Sequence, residues 1–78
     1  VESKVDTIRA AINEVLMESG REAVPAISRD TRLRNDLGLD SLELAVLTVK
    51  LEAATGVDIF AQGIVSTVGE IEDRLSAQ

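Results

Sequence analysis

Apolar residues return every three or four positions along the first stretch of the chain. Val5, Ile8, Ile12, Val15 and Leu16, with Ser19 in phase, share one face of a helix, while Lys4, Arg9, Asn13, Glu14 and Glu18 fall mostly elsewhere. The pattern predicts an amphipathic helix from about Glu2 to Ser19, stopped by Gly20. No period persists between residues 20 and 40, where Gly20, Pro25 and Gly38 interrupt the chain. Val24, Ile27, Leu33, Leu37 and Leu39 are nevertheless spaced like anchors over a core, and a short helical turn is expected around Thr31 to Asn35.

A second helix is expected from Ser41 to about Thr55, opened by the capping box Asp40-Ser-Leu-Glu43 and closed by Gly56. With Ser41 at zero, Leu44, Leu47, Leu51, Ala54 and Thr55 fall between roughly 220° and 320°, a core-facing stripe. Leu42, Ala45, Val46, Val49 and Ala53 fall between roughly 40° and 140°, a second apolar stripe beside Ser41. Either the helix is central and buried on both sides, or this stripe is a patch rimmed by Glu43, Lys50 and Glu52 that other proteins touch. Asp58 to Val65 suits one or two helical turns. Thr67-Val-Gly-Glu70 is a second capping box, opening a helix to about Ser76 with Val68, Ile71 and Leu75 inward. Strand signals are weak. The expected fold is all-α: a single domain over residues 1–78, a four-helix bundle of three longer helices and one short one, with a long loop between the first two.

Composition narrows the function. Seventy-eight residues make one small domain that buries roughly 60% of its unfolded surface. There is no cysteine and no histidine, so Ser–His and Cys–His nucleophilic pairs are excluded, as is the commonest metal ligand. Fourteen acids against eight bases repel nucleic acid, and Phe60 is the one aromatic residue on which a base could stack. No apolar run approaches the roughly 20 residues that span a bilayer, and a signal-peptide core is missing. A monomeric cytoplasmic protein without nucleic-acid or membrane partners is expected. Asp30 to Asp36 is no calcium loop, because Arg32 and Arg34 stand at its third and fifth places. Arg29, Arg32 and Arg34 form a basic cluster, expected to be solvated or paired with acids; contact with a cofactor phosphate or a partner is the alternative.

Serine at a helix start ordinarily caps it. Asp40 already supplies that cap, which leaves the Ser41 hydroxyl at N1, beside free backbone N–H groups that favour an anion. Leu33-x-x-Asp36-Leu37-Gly38-Leu39-Asp40-Ser41-Leu42 resembles the attachment motif of acyl carrier proteins, and Leu47, Leu51-Glu52, Gly56 and Ile59 continue it at the family's spacing.

The resemblance implies a four-helix bundle and a non-catalytic role. It implies that a phosphopantetheinyl transferase places 4'-phosphopantetheine from coenzyme A on Ser41, using magnesium. The thiol of that arm then holds acyl groups for acyl-loading, synthase or ligase enzymes of fatty acid or polyketide-type biosynthesis. Asp40, Leu42, Glu43, Val46, Val49 and Glu52 would dock partners, and Leu47 and Leu51 would line a pocket for the acyl chain. An aminoacyl or peptidyl carrier, and a helical interaction module without a prosthetic group, are the competing readings.

The chain departs from the family pattern on the second helix, where Val46, Lys50, Ala53 and Ala54 replace a dense row of acids. Thr55 replaces a bulky aromatic, and Phe60 stands where proline is common. These departures predict apolar rather than electrostatic docking, and a specialised rather than a housekeeping carrier.

Overall fold

The computed structural model describes residues 4–76, and Glu2, expected in the first helix, lies outside them. Three α-helices follow in order: α1 (Lys4–Glu18), α2 (Ser41–Thr55) and α3 (Val68–Ser76). A four-residue 3-10 turn (Ile59–Gln62) stands between α2 and α3. The short fourth helix of the expected bundle is therefore this single turn. Asp58 caps its start by accepting from the Phe60 N–H at 3.1 Å, and Gly63 ends it at φ 113°, which leaves too few residues for an α-helix.

Helix α1 buries Ile8, Ala11, Ile12, Val15 and Leu16, as its period requires. It ends in a Schellman motif: the Gly20 N–H donates to Met17 O and the Arg21 N–H to Leu16 O, with Gly20 left-handed at φ 80°. Helix α3 opens on the Thr67–Glu70 box. Glu70 N donates to Thr67 Oγ1 (3.2 Å), and Thr67 N donates to Glu70 Oε1 (3.2 Å). Its inward residues are Val68, Ile71 and Leu75.

The 20–40 connection is tied down rather than loose. The Asn13 side chain exchanges two hydrogen bonds with Val24, at 2.8 and 3.1 Å. Leu33 and Leu39 are fully buried, and Val24, Ile27 and Leu37 pack against the core. Arg32 and Thr67 form an isolated antiparallel bridge, flanked by Leu33 N donating to Ser66 O and Val68 N to Thr31 O. The expected turn at residues 31–35 forms two residues later, at 33–37, with Asp36 N donating to Arg32 O and Gly38 N to Arg34 O. The loop thus crosses from α1 to the start of α3 before it delivers the chain to α2.

Helix α2 carries two apolar stripes, yet only one is covered. Leu44, Leu47 and Leu51 are buried against α1 and the 3-10 turn. Leu42 is 73% and Val49 65% exposed, Ala45 and Ala53 are exposed, and Val46 is half-buried. This excludes burial on both sides: the helix is not central, and the stripe beside Ser41 faces solvent. Ala54, expected in the core, is exposed and Thr55 is half-buried. Ala54 sits at the edge of the arc, where so short a side chain does not reach the core.

Candidate functional site

The site is the first turn of α2 and the loop that leads into it. Asp40 is the N-cap, in extended backbone, and its carboxylate accepts from Glu43 N at 2.8 Å. Glu43 Oε1 accepts from Asp40 N at 3.0 Å, which completes the capping box. Ser41 therefore owes nothing to capping, and its side chain is exposed.

Glu43 differs from the sequence expectation. Only 8% of it is exposed, and its second oxygen accepts from Ser19 Oγ (2.6 Å) and from the Arg21 guanidinium, so it faces α1 rather than a partner. Arg21 also donates to Leu37 O (3.2 Å) and Gly38 O (2.7 Å). One guanidinium thereby joins the end of α1, the approach loop and the α2 cap. The Arg21 guanidinium, then the Ser19 hydroxyl and the Asp40 N–H, hold the Glu43 carboxyl down at about 2. Sequence alone missed this network, because Glu43 lies more than twenty residues from both Ser19 and Arg21 in the chain.

Gly38 is left-handed at φ 72°, and an added Cβ would lie 3.0 Å from Arg21 Nη1. The position thus needs glycine both for its backbone and for the arginine that ties it down. The Gly38 turn lets Leu39 enter the core while Asp40 and Ser41 emerge at the surface.

The arginines of the basic cluster separate by partner. Arg29 pairs with Asp73 (3.1 Å) and Glu72 (3.8 Å), and Arg32 pairs with Asp36 (3.3 Å). The Arg32 backbone N–H, and then its guanidinium, hold the Asp36 carboxyl below the usual range. Arg34 instead donates through Nη2 to Ser41 Oγ at 2.5 Å. Beside Ser41 lies an open depression of about 230 Å³, lined by Arg34, Ser41, Leu44, Phe60 and Ile64. Arg34 and Ile64 also border a second one of about 220 Å³, which continues over Asn35, Val65 and Ser66. Leu47 and Leu51, expected to line an acyl pocket, are 2% and 1% exposed and belong to the closed core.

Of the expected docking residues, Asp40, Leu42, Val49 and Glu52 are exposed, Val46 is half-buried, and Glu43 is not available. Lys50 turns away to Glu18 of α1, at 3.1 Å. Among the described residues no group of three acids, histidines or cysteines could hold a metal ion, and no helix is long and apolar enough to cross a membrane.

The arrangement is an exposed hydroxyl on a capped helix start, with an arginine on the hydroxyl and an apolar trough beside it. It fits a covalently attached group that begins with a phosphate and continues as a slender chain. Comparison with known proteins agrees. The family described as "Phosphopantetheine attachment site" matches residues 6–75. The chain is 32% identical over 78 residues to acyl carrier protein MbtL of Mycobacterium sp. (strain MCS), covering 97% of this chain and 88% of that protein. It is 30% identical to acyl carrier protein MbtL of Mycobacterium tuberculosis (strain ATCC 25618 / H37Rv), covering 97% and 93%. An acyl carrier protein of Rickettsia bellii (strain RML369-C) is 35% identical over 57 residues, covering 73% of this chain and 66% of that one. No solved structure matches. The chain belongs to the acyl carrier protein family, whose prosthetic group is 4'-phosphopantetheine. Proteins of this family are carriers that work with phosphopantetheinyl transferases and with synthase or ligase partners.

Proposed function

We propose that Ser41 is the attachment residue and that the chain carries acyl groups between the enzymes of a specialised fatty acid or polyketide-type assembly. The observation that supports this most is the freedom of the Ser41 hydroxyl. The cap is made by Asp40 and Glu43, so Ser41 is exposed and its Oγ, among the described residues, is bonded to Arg34 alone. In the transfer, Ser41 Oγ bonds to the phosphorus that bears the pantetheine while the coenzyme A phosphoanhydride breaks and adenosine bisphosphate leaves. The hydroxyl proton would pass to a base supplied by the transferase. When bound, the arm supplies the thiol that a cysteine-free chain lacks, and with it thioester chemistry. The chain itself contributes a fixed base for the arm and a high local concentration of cargo at docked enzymes.

Docking on this reading uses Leu42, Val46 and Val49 as the apolar centre, with Asp40 and Glu52 at the rim. Exposure of Leu42 and Val49 supports it. The burial of Glu43 and the pairing of Lys50 with Glu18 remove charge from the same face. Leu47 and Leu51 form the part of the core that would open to admit an acyl chain. Acyl carriage is tested by loading the arm-bearing chain with an acyl-loading enzyme and weighing it intact. A mass gain of one acyl group, removed by neutral hydroxylamine, is expected. An arm-bearing chain that accepts amino acids and no acyl group would overturn the acyl reading.

A further inference from the structure

Two arginines of the 29–34 cluster are engaged by carboxylates: Arg29 by Asp73 and Glu72, and Arg32 by Asp36. Arg34 forms no ion pair with any described residue, and its guanidinium rests on Ser41 Oγ. A hydroxyl is a weak partner for a group with five N–H donors and a full positive charge. A phosphodiester formed at that oxygen would place two non-bridging oxygens, sharing one negative charge, next to the same guanidinium, where a paired, charge-assisted contact is possible. The positive end of the α2 dipole favours an anion at the same helix start. Arg34 also borders both depressions beside the site, together with Ile64.

We propose that Arg34 is a cofactor-contacting residue that grips the phosphodiester of the arm and sets the direction in which the arm leaves the helix. The proposal rests on attachment at Ser41. Its backbone basis is the turn that places Arg34 beside α2: the Arg34 carbonyl accepts from Gly38 N, and Leu39 N donates back to Leu33 O. The guanidinium is thus held near Ser41 by a turn whose ends are bonded, although seven residues separate the two in the chain. In the unmodified chain its guanidinium has no carboxylate partner among the described residues. Modification supplies the missing anion, so the arm-bearing chain is stabilised relative to the bare one.

The test compares wild type, Arg34→Gln and Arg34→Lys, each loaded to completion with coenzyme A, magnesium and a broad-specificity transferase and verified by intact mass. Two readouts are taken: the phosphorus NMR shift of the phosphodiester, and the melting temperature with and without the arm. Wild type should melt on the order of 3 °C higher with the arm. Arg34→Gln should lose most of that rise and move the phosphorus shift toward that of free pantetheine phosphodiester. Arg34→Lys should keep part of the rise, because it keeps the charge and loses the paired geometry. Added salt should shrink the wild-type rise, and change the small residual rise of Arg34→Gln far less. Equal shifts and equal rises in fully loaded wild type and Arg34→Gln would overturn the clamp and leave attachment intact. A wild-type chain that takes no arm would overturn both.

Discussion

Leu47→Ala tests the core and the proposed acyl pocket together. Leu47 is 2% exposed on the face of α2 that packs against α1. The substitution removes three carbons, worth about 0.8 kcal/mol each in transfer alone. The cavity left behind raises the cost to about 3 kcal/mol, within the usual span of roughly 2–5. A domain of this length has about 4–12 kcal/mol in all, so the variant folds but melts about 12–24 °C lower. If the acyl chain enters beside Leu47 and Leu51, an octanoyl group should refill the cavity. Two or three of its methylenes would return about 2 kcal/mol. Urea unfolding of the arm-bearing and octanoyl-bearing forms, in wild type and variant, measures this directly. The gain from octanoylation should be larger in Leu47→Ala than in wild type. An equal gain in both, or none in either, would refute entry at Leu47, and a cost below about 1 kcal/mol would refute the packing.

Two further outcomes follow from the same geometry. Glu43 has a folded value of about 2 against an ordinary 4.5, so its contribution to stability is present above pH 4.5 and is lost as pH falls toward 2. Asp36 is shifted in the same direction. Urea midpoints should therefore fall through that window in wild type and fall less steeply in Glu43→Gln; parallel curves would contradict the Arg21–Glu43 link. On the exposed stripe, Leu42→Ser and Val49→Ser should weaken binding of a cognate synthase several-fold at unchanged fold stability, with a shallow salt dependence. A steep salt dependence together with insensitivity to both substitutions would place docking elsewhere.

Much of this architecture was legible because its determinants are local. The helix periods, the two capping boxes and the glycine stops each lie within a few residues, and all three α-helices form where those signals place them. That Ser41 is spared from capping was legible for the same reason, since Asp40 and Glu43 settle the cap among themselves. Long-range pairing was not. Glu43 sits between the two apolar stripes of α2, so its sequence position suggests a surface rim; Arg21 and Ser19 draw it inward. The two apolar stripes of α2 look alike in sequence, and only the placement of α1 and the 3-10 turn decides which is covered. The contact of Arg34 with Ser41 depends on the Gly38 turn, whose path no periodicity reports.

The central claim is that the freed hydroxyl of Ser41 carries the arm. Wild type and Ser41→Ala are incubated with coenzyme A, magnesium and a broad-specificity transferase, weighed intact, and checked for fold by circular dichroism. Wild type should gain the mass of one phosphopantetheine, mapped to the peptide containing Ser41, and Ser41→Ala should gain nothing while keeping its helical spectrum. A gain that persists in Ser41→Ala, or no gain in wild type with several transferases, would contradict the account.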